Sequence, residues 1–137
     1  MTFVEADFSQ ENWFEKLKNS GYDPGLKTIF LWEGVTLYLS EKDVRKTLQT
    51  LKSNAAHSSI VITDIYDFNF LKMLNKGSEV LKANNESLGG FGLDFTISPE
   101  QAVLEFTNSM QIEIGRHFFL GSKNKSGAFM VVTEIVL

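Results

Sequence analysis

Thr28-Ile29-Phe30-Leu31-Trp32, closed by Glu33-Gly34, is the stretch on which the fold turns. Its unbroken apolar and β-favouring character, with no polar alternation, predicts a strand covered on both faces. Downstream, Ser40-Glu41-Lys42-Asp43 has the form of a capping box with Asp in place of Glu, and Val44, Leu48 and Leu51 follow at helical spacing as far as Asn54. A second β-branched run, Ser59-Ile60-Val61-Ile62-Thr63-Asp64-Ile65-Tyr66, comes next. Strand, helix and strand in this order predict a βαβ unit with a right-handed crossover, the building block of a doubly wound α/β sheet.

Upstream of that unit, Thr2 to Ala6 reads as a short strand, and Asp7-Phe8-Ser9 leads into a helix that Ser9 caps and Gly21 ends. Trp13, Phe14 and Leu17 share one face of that helix, and Tyr22-Asp23-Pro24-Gly25 is a turn. Beyond the unit, Phe70, Leu71, Leu74 and Leu81 suggest helix, Ser87-Leu88-Gly89-Gly90-Phe91-Gly92 suggests a mobile connection, and Gly89-Gly90-Phe91-Gly92 within it reads as a hinge. Ser98-Pro99-Glu100-Gln101 starts another helix: Ser caps, Pro fits the first turn and Gln reaches back, with Val103, Phe106 and Met110 as its buried stripe. Gln111 to Leu120 and Ala128 to Leu137 flank a Gly-bounded polar loop of hairpin type. The expectation is one domain over residues 1–137, a mostly parallel sheet with a C-terminal antiparallel hairpin.

Composition narrows the function classes. The chain has 137 residues, 43% hydrophobic and 22% charged, with a net charge of -4, as in ordinary globular domains. No basic stripe is present for a phosphate backbone, so nucleic acid is not an expected partner. No run approaches the ~20 apolar residues of a membrane span. The opening Met1-Thr2-Phe3-Val4-Glu5-Ala6 shows no secretory pattern, which makes a cytoplasmic location the expectation. Absence of Cys removes disulfides, thiolate nucleophiles and Cys-based zinc sites together.

In open α/β sheets ligands lie beyond the carboxyl ends of the strands. Each such position here is acidic: Asp7 after the first predicted strand, Glu33 after the second, Asp64 and Asp67 around the end of the third. The mouth therefore suits a cationic ligand or one rich in N–H and hydroxyl donors, and suits phosphates badly. Each acid also has a structural reading. Asp7 and Asp67 can cap the helices that follow them, Glu33 can be satisfied by N–H groups of the next turn, and Asp64 can bond to nearby backbone. His57 and His117 lie in polar surroundings with no triad partner, and no metal-binding motif occurs.

Taken together, Asp7-Phe8, Trp13 with Leu17, Gly21-Tyr22-Asp23 and Glu33-Gly34-Val35-Thr36-Leu37-Tyr38-Leu39 resemble the central signature of the leucine carboxyl methyltransferase family, in its bacterial branch related to polyketide O-methyltransferases. Val44 and Leu48, Ile62 to Tyr66 and Phe91-Gly92-Leu93-Asp94 extend the likeness. The resemblance implies a class I methyltransferase fold of Rossmann-like type, with S-adenosyl-L-methionine as cofactor and methyl transfer to a carboxylate or hydroxyl oxygen of a small molecule or protein. It implies no covalent catalytic residue and no metal. It places Asp7 against the adenine amino group, Phe8 against the base, Glu33 and Gly34 near the methionyl end, and Tyr38 and Tyr66 on the substrate side.

The same resemblance implies that this chain corresponds to the C-terminal half of that fold, without the Gly-rich strand-to-helix turn and the acidic residue for the ribose hydroxyls. The strand Thr28 to Trp32 then has an open apolar edge. Three outcomes are expected from that edge: a homodimer, completion by a second chain, or an inactive remnant that keeps the sheet as an interaction domain.

Overall fold

The computed structural model describes residues 1–8, 12–77, 90–122 and 127–137. Its elements, in chain order, are α1 (Trp13–Asn19), β1 (Ile29–Trp32), a 3-10 turn (Thr36–Tyr38), α2 (Glu41–Asn54), β2 (Ile60–Tyr66), α3 (Phe68–Gly77), α4 (Pro99–Asn108), β3 (Glu113–Leu120) and β4 (Met130–Val136). The strands form one sheet in the order β1-β2-β4-β3. β1 runs parallel to β2, while β4 is antiparallel to both β2 and β3. The chain is thus a mixed α/β structure with a four-stranded sheet, and its parallel part is confined to the β1–β2 pair.

Local chemistry accounts for the helix boundaries. Ser40 accepts from the Asp43 amide at 3.2 Å, as the predicted cap requires, but the Asp43 carboxylate accepts from the Ser40 hydroxyl at 2.6 Å rather than from its backbone amide, as a full capping box would have it. At α4 the Ser98 hydroxyl accepts from the Gln101 amide at 3.2 Å, with Pro99 in the first turn. Gln101 does not reach back. Its amide instead donates forward to Glu105 at 2.7 Å, the neighbour one turn along. The Ser9 cap expected for α1 lies outside the described residues, and α1 itself begins after Asn12.

One core binds α1, α2 and α4 to one face of the sheet. Trp13 and Phe14 of α1, Val44, Leu48 and Leu51 of α2, and Val103 and Phe106 of α4 pack with Trp32, Val61, Ile65, Val131 and Ile135. Val61, Val131 and Ile135 have no exposed surface at all. Among the described residues, the opposite face is covered towards the carboxyl end of β2, where Leu37 of the 3-10 turn and Leu71 of α3 pack against Tyr66.

Two expectations are corrected. β1 is not covered on both faces: Ile29 and Leu31 are 68% and 69% exposed, and only Trp32 is buried. Its continuous apolar run reflects one face in the core and one left open. Thr2 to Ala6 forms no strand: no ladder pairs it with β1, although Val4 and Ala6 line the same cavity as Ile29 and Leu31, and Thr2, Phe3, Glu5 and Ala6 remain exposed. The stretch read as a hinge is also anchored from Phe91 onwards. Phe91 is buried, Leu93 exchanges backbone hydrogen bonds with Tyr66 and Phe68, and a Cβ on Gly92 would stand 2.8 Å from the Tyr66 carbonyl oxygen.

Candidate functional site

Carboxyl ends of β1 and β2 lie side by side, and the Glu33-Gly34-Val35-Thr36-Leu37-Tyr38-Leu39 segment is folded over them by its own residues. Gly34 takes a φ of +66°, in the left-handed region that a side chain disfavours. That turn aims the Gly34 amide at Asp64 of β2, donating to both carboxylate oxygens at 3.0 and 3.1 Å. The Thr36 hydroxyl, fully buried, donates to the Asp64 carbonyl at 2.8 Å. Leu37 then enters the cluster with Leu71, and Leu39 packs against the main core.

Asp64 is thus a buried carboxylate that ties the β1 turn to β2, in keeping with the structural reading of this acid. Without the Gly34 amide it would carry an uncompensated desolvation cost. Asp67 is a helix cap as well: it accepts from the Phe70 amide at 2.9 Å and from the Phe95 amide at 3.0 Å, which joins α3 to the segment after Phe91. Glu33 is exposed at the mouth. Tyr38 is 56% exposed. Tyr66 is half-buried with its ring stacked on Phe70 at 6.4 Å. Burial first, then the Asp64 carboxylate, with Tyr38 and Glu33 adding to it, push the Tyr66 phenol up to about 12.

Asp7 is exposed, in the stretch before α1. Phe8 follows it and reaches the same end of the sheet, its ring 5.3 Å from Trp13 and 6.0 Å from Trp32, the residue before Glu33. The structure therefore gathers Phe8, Glu33, Gly34, Tyr38 and Tyr66 around the ends of β1 and β2. A cavity of about 320 Å³ along β1 is lined by Phe8, Trp13, Trp32, Thr47 and Leu51 among others. Two of its lining residues, Trp32 through Nε1 and Thr47 through Oγ1, hold buried polar atoms without a hydrogen-bond partner among the described residues.

Sequence reasoning missed Thr36, Trp32 and Thr47 as polar participants. For Thr36 a signal existed in the Gly-Val-Thr triplet, where a hydroxyl two residues past a turn glycine is placed to bond across strands. Trp32 and Thr47 carried none, because both sit at positions that apolar periodicity alone explains. His57 and His117 are exposed, with His117 Nδ1 3.3 Å from the Gly115 carbonyl, and neither joins the site. Among the described residues no group of three His, Asp or Glu side chains could hold a metal ion, and no helix is long and apolar enough to cross a membrane.

Residues 1–52 match the family model described as leucine carboxyl methyltransferase. The match spans 52 of the chain's 137 residues. The matched span holds Asp7, Phe8, Glu33, Gly34 and Tyr38, whereas Asp64 and Tyr66 lie beyond it. No curated protein matches the chain. Among solved structures it is similar to the crystal structure of OxaC in complex with sinefungin and meleagrin, at a TM-score of 0.46 and 11% sequence identity. That superposition covers 92% of this chain and 33% of the other, so the chain spans about a third of the length of the structure it matches.

Proposed function

We propose that the chain takes part in S-adenosyl-L-methionine-dependent methyl transfer to a carboxylate or hydroxyl oxygen, with its binding residues at the carboxyl ends of β1 and β2. The observation that supports this reading is that the span matching the leucine carboxyl methyltransferase model ends β1 in Glu33-Gly34, beside the acidic end of β2. Glu33, Asp64, Tyr38 and Tyr66 include two carboxylates and no basic group, which favours a cation. The unpartnered Trp32 Nε1 and Thr47 Oγ1 in the adjoining cavity fit a ligand with polar atoms as well as an apolar surface.

When bound, the sulfonium donor supplies an activated methyl group, so the protein's work is positioning and exclusion of water. Phe8 offers a ring to the base and Asp7 an acceptor to its amino group. Glu33 places negative charge at the mouth, and the Gly34 turn, locked by Asp64, fixes where that charge stands. Tyr66 remains protonated at neutral pH with its phenol donating to the Asp64 carboxylate, which leaves its oxygen to accept from a donor on the substrate.

Calorimetric titration of the purified chain with S-adenosyl-L-methionine tests the reading. Micromolar binding that is lost in Asp7→Ala and weakened in Glu33→Gln is the expected result, whereas no heat with the folded chain overturns it. A second reading, an interaction domain that keeps the sheet without catalysis, is favoured by the exposed Ile29 and Leu31 on β1.

A further inference from the structure

A second cavity, of about 430 Å³, lies between α3 and the chain that leads into β4. Phe70 and Met73 of α3 line it together with Phe129, and Asp67 and Asn69 add polar atoms. The Asp67 amide donates to the Phe129 carbonyl at 2.8 Å, which fixes Phe129 beside the start of α3. The Phe70 ring then meets two others: it is stacked on Tyr66, centroids 6.4 Å apart and planes within 6°, and tilted against Phe129 at 5.0 Å. A row of rings thus leads from the carboxyl end of β2 into the cavity, and such a surface suits a flat aromatic ligand. The volume falls in the range of small-molecule sites, about 300–1,000 Å³.

Charge decides what kind of aromatic. Among the described residues no Lys, Arg or His lines the cavity. Lys72, on the same helix, stands over the Phe68 ring at 4.1 Å instead. Asp67 is buried, with its carboxylate accepting from the Phe70 and Phe95 amides at 2.9 and 3.0 Å, so the wall carries a negative charge. An anionic ligand would lose its hydration there without gaining a cation. Tyr66 discriminates in the same direction. With its phenol donating to Asp64, what it offers a ligand is an oxygen lone pair, which accepts from an O–H and repels a carboxylate. We infer that this cavity holds the ring of a neutral, hydroxyl-bearing aromatic acceptor against Phe70 and Phe129, with the hydroxyl turned towards Tyr66. The inference rests on the methyl-transfer reading and narrows it: of a carboxylate and a hydroxyl oxygen, the hydroxyl is the one methylated.

Calorimetric titration of the whole chain at neutral pH with two flat probes of similar shape, 2-naphthol and 2-naphthoate, tests it, with circular dichroism confirming that each variant is folded. The expected result is that 2-naphthol binds about tenfold more tightly than 2-naphthoate. Phe129→Ala weakens both probes. Tyr66→Phe, which keeps the stacked ring, weakens 2-naphthol alone. Met73→Lys, at a position 59% exposed, adds a cation to the wall and strengthens 2-naphthoate about tenfold. Equal binding of the two probes by the parent chain, or 2-naphthol binding indifferent to both Phe129→Ala and Tyr66→Phe, overturns the inference. A parallel titration with S-adenosyl-L-methionine separates the two readings. Heat from the cofactor but none from 2-naphthol removes this inference and leaves methyl transfer standing, whereas 2-naphthol binding without cofactor binding overturns methyl transfer and with it the acceptor role.

Discussion

Both faces of the sheet carry apolar side chains, yet they are treated differently. On one, Val61, Ile65, Val131 and Ile135 lie beneath α1, α2 and α4 and are closed to solvent. On the other, Ile29, Leu31, Phe118 and Val132 remain 37–69% exposed, and among the described residues the strip around Tyr66, Leu37 and Leu71 is covered. The difference shows that an unbroken β-branched run records what a strand can pack against, not what does pack against it. It also places the candidate site where the covered strip of the second face meets the strand ends.

The largest expected effect contrasts the two clusters directly. Ile135→Ala removes side-chain volume from the closed core and should destabilise the fold by about 2–5 kcal/mol in denaturant titration. Leu71→Ala, whose buried neighbourhood is Leu37 and Tyr66, should fall at the lower end of that range, about 2 kcal/mol. Equal losses would mean that the second face is as firmly packed as the first, and the contrast would fail.

A pH titration sharpens it further. The Tyr66 phenol, normally near 10.0, titrates near about 12 in the folded chain, so the folded state holds a proton that the unfolded state has already released. Its contribution to stability is complete below pH 10 and declines as pH rises towards 12. Absorbance of tyrosinate should show a late component that disappears in Tyr66→Phe. A single transition near the ordinary value would indicate that the covered strip is open to water. The smallest effect belongs to the open face: Phe118→Thr, at an exposed position, should change stability by no more than about 0.5 kcal/mol. A loss several times larger would show that this face is covered in solution.

Elements whose boundaries depend on local chemistry were legible in the residues. The Ser40 and Ser98 caps, the stripe of Val44, Leu48 and Leu51, and the final hairpin all follow from contacts within a few positions. What depends on a distant partner was not. Thr2 to Ala6 has the composition of a strand but no adjoining ladder, and Gln101 chose Glu105 over its own cap. At the site, Glu33 and Gly34 were legible as a strand terminus. The bond from the Gly34 amide to Asp64 spans thirty positions, and no spacing rule reaches that far. Asp67 was readable as a cap, but its second bond, to the Phe95 amide, depends on how the later segment docks.

β4 is the last strand in sequence and yet occupies an inner place, between β2 and β3. During synthesis, β2 therefore emerges from the ribosome with only β1 available beside it, and β3 emerges with no neighbour. The ladder closes once residues 130–136 have cleared the exit tunnel, so the strand that joins β2 to β3 is the last of the four to be made.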